Sequence, residues 1–199
     1  MTRLRVQCPN CHCLKVITEY DDKNKFHCQG CNTYFNSNIA PVYKDILIED
    51  VKKDDVQHIE YSSGCFWTGY NHMLAYPTCD GKTIIRTKWT IERKDFSEPV
   101  ILNNAIWGKM LDVLFDKGKF NTWKQEGYTG TYFDATDWHI TLTLANNKSA
   151  YCSGICEGYP PEWTILNKYY EEVMAKAGAT YFDKTKSDKI WYKLKAHNK

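Results

Sequence analysis

Two Cys-x2-Cys pairs, Cys8-Pro9-Asn10-Cys11 and Cys28-Gln29-Gly30-Cys31, stand 16 residues apart near the start of the chain. No other feature narrows its folding so sharply. Four thiols at this spacing suit one tetrahedral zinc ion, because each pair forms a tight turn that aims two sulfurs at a single point. Pro9 supplies a fixed dihedral and Gly30 a permissive one for those turns. Between the pairs, residues 15–20 read as a strand, 21–24 as a polar turn and 25–27 as a returning strand, so a hairpin brings the second pair back to the first. A thioredoxin-like redox use needs one such pair in a βαβ unit, and this segment has two pairs and no such unit. Cys13 is a spare neighbour. His12 and His27 adjoin a site that four thiolates already fill.

The segment of roughly residues 6–37 resembles a zinc ribbon. The resemblance implies Zn2+ held by Cys8, Cys11, Cys28 and Cys31. So small a segment has few apolar residues, so the metal is expected to supply most of its folding energy, ~10–16 kcal/mol in comparable peptides.

Asn36-Ser37-Asn38-Ile39-Ala40-Pro41 reads as a linker, dividing the 199 residues into a ribbon at 1–40 and a second domain at 45–199. Gln57–Tyr61 alternates as a strand, with Ile59 and Tyr61 inward and His58 and Glu60 outward. A further strand follows across Tyr70–Tyr76, with His72 on its outward side. Asp80-Gly81 signals a hairpin, after which Ile85, Thr87, Trp89 and Ile91 share one strand face. Ile106, Trp107, Met110, Leu111, Leu114 and Phe115 form a helical stripe within about 100–117, stopped by Gly118 and begun at Ser97, Asn103 or Asn104. Trp138, Ile140, Leu142 and Leu144 mark another strand, which Asn146-Asn147-Lys148 turns into a partner through Tyr151 and Cys152. Pro160-Pro161 precede a second helix over 162–177 that ends at Gly178. Ile190–Leu194 is read as a last strand. The fold class is α+β: an N-terminal β zinc ribbon, then an antiparallel sheet covered by two helices. Trp123, Asp137-Trp138, Gly154 and Gly158-Tyr159-Pro160 also resemble a recurrent, uncharacterised bacterial module of the form W…DxxW…G…YP, over about 56–177. That resemblance implies a fold and no catalytic residues, and the cysteines at 152 and 156 depart from it.

The formal charge of +2 conceals a division: residues 1–44 carry +3, 182–199 carry +4 and the middle −5. Arg3, Arg5, Lys15 and Lys25 are candidates for phosphate, with Tyr20, Phe26, Tyr34 and Phe35 as candidates for base stacking. Aromatic residues reach 15%, enough for a firm core and an interaction surface besides. No apolar run approaches the length of a membrane span, and the first residues lack a secretory leader, so a cytoplasmic protein is expected. Asp134, Asp137 and His139 form the most enzyme-like cluster, yet an Asx turn opening a strand explains it as well. Cys152 and Cys156 are expected to pack as small hydrophobes. The expected function is a non-catalytic binding protein, a regulator or inhibitor with the ribbon as a recognition head, recognising nucleic acid or a protein partner, for which the aromatic-rich body is the better candidate surface. The alternatives are an enzyme with a structural zinc site, or an accessory subunit of a larger complex. The enzyme reading predicts a polar pocket containing His139 or Asp137.

Overall fold

Strand alternation builds the centre of the molecule, for which the computed structural model describes residues 3–18, 21–22, 25–28, 31–36, 38–65, 69–90, 96–131 and 136–179. The elements run β1 (Leu4–Gln7), β2 (Leu14–Val16), β3 (Phe26–His27), β4 (Tyr34–Phe35), β5 (Val42–Asp45), β6 (Val56–Cys65), β7 (Gly69–Pro77), β8 (Thr83–Trp89) and β9 (Val100–Leu102). They continue with α1 (Ala105–Asp112), β10 (Tyr128–Thr129), β11 (Asp137–Leu144), β12 (Lys148–Ile155) and α2 (Trp163–Lys176). The expected α+β class is met by one large, mostly antiparallel sheet with two helices. Its strand order is β2-β1-β5-β12-β11-β6-β7-β8-β9, β10 pairs with β12, and β3-β4 form a separate ribbon hairpin.

One sheet face is dry. Ile59, Tyr61, Met73, Ala75, Ile85, Trp138, Ile140, Leu142, Ala150 and Cys152 alternate inward and meet Met110, Leu114, Leu166, Tyr170 and Val173 from the helices. The residues of the W…DxxW…G…YP pattern converge here. Trp138 packs against Trp163 at a tilt, with ring centres 4.3 Å apart, and Tyr159 lies nearly parallel to Trp163 at 5.5 Å. Trp123 meets Trp138 edge-on. The Trp138 indole N–H donates to the Gly158 carbonyl at 2.7 Å. A Cβ at Gly154 would fall on that carbonyl and on the Trp138 ring, so only glycine fits beneath the indole.

Local chemistry sets the ends of these elements. Asn103 Oδ1 accepts the Ala105 N–H at 3.1 Å at the start of α1. That helix widens into a π turn over Val113–Lys117 before Gly118, a widening that the apolar stripe does not announce. Gly178, at φ 75°, closes α2 in the left-handed conformation natural to glycine. The residues 190–194, read above as a strand, and Ile91 lie outside the described residues.

The other face is rolled over. β1 lies four places from β6 in the strand order, about 19 Å away in a flat sheet. Yet Gln7 Nε2 lies 2.9 Å from His58 Nδ1, and the Leu14 N–H, one strand further out, reaches Glu60 Oε2 at 3.4 Å. The sheet therefore curls until the ribbon covers the outward side of β6 and β7. The junction is β5, which pairs antiparallel with β1 and parallel with β12. Val6, Phe26, Phe35 and Ala40 of the ribbon pack with Leu74 and Phe96 in a second, smaller core.

Candidate metal centre and adjoining cavity

Each cysteine pair is closed by backbone bonds. The His12 N–H donates to the Cys8 carbonyl and the Cys8 N–H to the Cys13 carbonyl, both at 2.9 Å, while the Cys28 N–H donates to the Thr33 carbonyl at 2.9 Å. In both knuckles the residue after the second cysteine, His12 or Asn32, has positive φ, 66° and 56°. The sharp turn falls there, at residue types that tolerate the left-handed region. Gly30 lies outside the described residues.

The thiols of Cys8, Cys11, Cys28 and Cys31 converge, with all four sulfurs within 4.8 Å of one another. Cys8 and Cys31 are 3.6 Å apart, and Cys11 and Cys28 3.5 Å. A tetrahedron of sulfurs at zinc–thiolate length has edges of about 3.8 Å, so the four residues fit the ion with little movement. The Thr33 hydroxyl lies 3.1 Å from the Cys31 sulfur. The clustered thiols perturb one another's protonation. Hydrogen bonds from Cys11 and Cys28 hold the Cys8 thiol far below its usual range. Cys11 is pushed up by its contacts with Cys13 and Cys8 and by burial, and Cys28 by Cys11, Cys8 and burial. Four thiolates this close ionise together only around a cation. Cys13 is buried beside them but stands outside the cluster. A hydrogen bond with Cys11 lowers its thiol, while burial and neighbouring negative charge outweigh this and push it up to about 11.

The knuckle is clamped to the sheet by one amide. Gln7 Nε2 donates to the His12 carbonyl at 3.1 Å, and the Tyr43 hydroxyl donates to Gln7 Oε1 at 3.1 Å. With the amide so oriented, Nε2 also donates to His58 Nδ1, which must be unprotonated to accept. Burial, then the neighbouring His12, lower His58 to about 4. His12, His58 and Tyr76 pack ring against ring at 5.1–5.6 Å.

Beside this clamp, ribbon and sheet enclose a cavity of about 530 Å3, within the range of small-molecule sites. Glu60, His72, Lys88 and His139 form part of the sheet wall, and Cys8, Cys28 and Lys15 part of the ribbon wall. His139 Nε2 lies 3.9 Å from Glu60 Oε1. Burial works to raise the Glu60 carboxyl, but His139 and the Leu14 N–H prevail and hold it below the ordinary carboxylate range. Burial drives His72 down to about 4, so its imidazole is neutral at pH 7.

The remaining sequence candidates separate. Asp137 is absent from the described cavity lining. Its Oδ1 accepts the Cys156 N–H at 2.9 Å, and its Oδ2 lies 3.4 Å from the Tyr70 hydroxyl, so it holds the turn after β12. Asp134 lies outside the described residues. Cys152 is buried with its thiol pushed up to about 12 by burial, and among the described residues neither it nor Cys156 joins a metal-type cluster. Arg5 is 3% exposed. Its guanidinium makes a bidentate pair with Asp45, at 2.7 and 3.0 Å, and lies 4.7 Å over Tyr151. Lys15 is paired with Asp21. Arg3 and Lys25 are exposed, and Lys25 sits 5.2 Å over Tyr34, which stacks on His27. Phe26 and Phe35 are core, and Tyr20 lies outside the described residues. In the sequence Glu60 and His72 look like solvated outward positions on their strands. The only signal for their role was the outward alternation they share with His139. No helix among the described residues is long and apolar enough to cross a membrane. Comparison with protein-family models, curated proteins and solved structures finds no match to this chain.

Proposed function

We propose that the chain is a zinc-ribbon binding protein, a regulator or inhibitor, whose outer ribbon surface recognises a protein partner. One observation carries the reading. Among the described residues eight large apolar side chains are exposed, and five of them, Leu4, Tyr34, Ile39, Val42 and Leu47, precede residue 48. Leu4 and Val42 are diagonal neighbours across β1 and β5. Apolar side chains left in water on a rigid, metal-pinned scaffold fit the centre of a protein interface. Nucleic acid is the weaker partner, because Arg5 and Lys15 are spent on ion pairs.

The test is affinity capture with the zinc-loaded protein beside a Leu4→Asp/Val42→Asp variant, run with fluorescence anisotropy on labelled single-stranded DNA, duplex DNA and RNA. A stoichiometric protein partner lost in the variant is expected. Nucleic-acid binding that weakens steeply between about 50 and 200 mM salt and falls in Lys25→Ala and Tyr34→Ala would replace this reading with the nucleic-acid one.

A second reading, an enzyme, is favoured by the cavity. It contains His139, as that reading requires, beside the half-buried Glu60 carboxylate and a neutral imidazole. Its acid–base pair is then Glu60 and His139 rather than Asp137 and His139.

A further inference from the structure

Three side chains stand in a row on the ribbon-covered face of the sheet. His139 on β11 is directly opposite Ser62 on β6, and Ser62 is directly opposite His72 on β7. Glu60, two residues before Ser62, projects from the same face, its carboxylate 3.9 Å from His139 Nε2. The two imidazole centres are 6.3 Å apart. Ser62, 1% exposed, has a buried hydroxyl with no hydrogen-bond partner among the described residues. Unsatisfied buried hydroxyls are uncommon in native proteins and call for a missing partner such as water or an ion.

Two imidazoles and a carboxylate beside an enclosed space are the donor set of divalent first-row ions that keep coordination positions open. We propose that Glu60, His72 and His139 bind such an ion on the sheet wall of the cavity, apart from the tetrathiolate site. Two imidazoles on one tetrahedral ion place their ring centres about 5 Å apart, so the ion draws His72 and His139 together by about 1 Å. The positions that remain open face the cavity, for water or an oxygen of a small ligand. Water bound there supplies the partner that the Ser62 hydroxyl lacks. Charge balance favours a cation even though Lys15 and Lys88 line the same cavity. Four thiolates on one divalent ion retain a net charge of about −2 on the ribbon wall, and Glu60 adds another negative charge. This balance rests on the zinc reading of the four cysteines.

The full-length, zinc-loaded chain is titrated with Co2+ and followed by visible absorption and by metal content after dialysis. One further equivalent is expected, giving d–d bands without sulfur-to-cobalt charge transfer. His72→Ala and His139→Ala each weaken it by more than about 100-fold, and Ser62→Ala by about 10-fold. Glu60→Gln and His139→Gln serve as replacements where an alanine variant fails to fold. No second equivalent in the wild-type protein, or a second equivalent indifferent to these substitutions, overturns the proposal. Co2+ added to metal-free protein tests the cysteine site separately, since its occupation gives the charge-transfer band and its failure removes that band alone.

Discussion

The two faces of the sheet are covered by different means. The helical face is closed by rings and aliphatic chains: Trp138, Trp163, Tyr61 and Leu166 meet there, with the Trp138 indole N–H aimed at the Gly158 carbonyl and the Tyr61 hydroxyl at Asn167 Oδ1. The ribbon face is closed by polar chemistry, with four thiols, the Gln7 amide, the Arg5–Asp45 pair and the His58, His72 and Glu60 side chains. Hydrophobic burial suffices for the first. The second depends on its polar groups staying paired, and its four cysteines could hold a metal ion there. The face that depends on conditions is also the one that encloses a cavity.

The largest effect expected is loss of the metal. Chelation, or Cys28→Ser, should strip amide-exchange protection from β1–β5 while β11, β12 and α2 keep theirs. The free energy at stake is on the order of 10 kcal/mol. Loss of protection across the whole chain would show that the two faces fold as one unit. Trp138→Ala should then cost about 3–5 kcal/mol by urea unfolding of the zinc-loaded protein, through the cavity left among Trp123, Trp163 and Gly158. Its expected mark is a lower midpoint without loss of bound zinc. Asp45→Ala leaves the Arg5 guanidinium buried without its partner, and about 3 kcal/mol is expected. Arg5→Met/Asp45→Leu should recover most of that, and a double variant no better than the single would show that the pair is needed for register.

The smallest effect is a pH slope. His58 must be neutral to accept from Gln7, and its folded pKa of about 4 lies below the ordinary 6.5. As pH falls the unfolded chain is protonated first. Stability from this group is therefore complete above about pH 6.5 and is lost progressively toward pH 4. His72 adds to the same slope, and so does protonation of the metal ligands. The informative quantity is thus the difference between wild type and His58→Gln, whose unfolding midpoint should fall less over that window.

The legibility of the two faces in the sequence follows the same division. Trp138, Ile140, Leu142 and Leu144 announce a strand by period two, and Met110, Leu111, Leu114 and Phe115 announce a helix, because burial of one face imposes periodicity on neighbouring residues. The four cysteines were legible because two ligands share each knuckle. Gln7, His58, Glu60 and His72 were not legible in that way. Polar residues on an outward strand position look the same whether water or a curled sheet covers them. What covers Glu60 is Leu14, 46 residues away, and what holds His58 is Gln7, 51 residues away. The π turn after α1 is hidden for another reason, since residues 113–117 keep an apolar stripe compatible with either winding.

The parallel pairing of β5 with β12 has a consequence for the order in which this chain matures. Lys44 and Asp45 meet Lys148 and Ser149, so roughly a hundred residues must leave the ribosome before the ribbon finds its seat. Until then the four-cysteine segment trails an unpaired β5 edge, open to pairing with another nascent chain. Closing so long a loop makes this docking a slow, late contact. On the zinc reading proposed above, metal supply during translation, more than in the finished protein, decides how much of the chain reaches its native form.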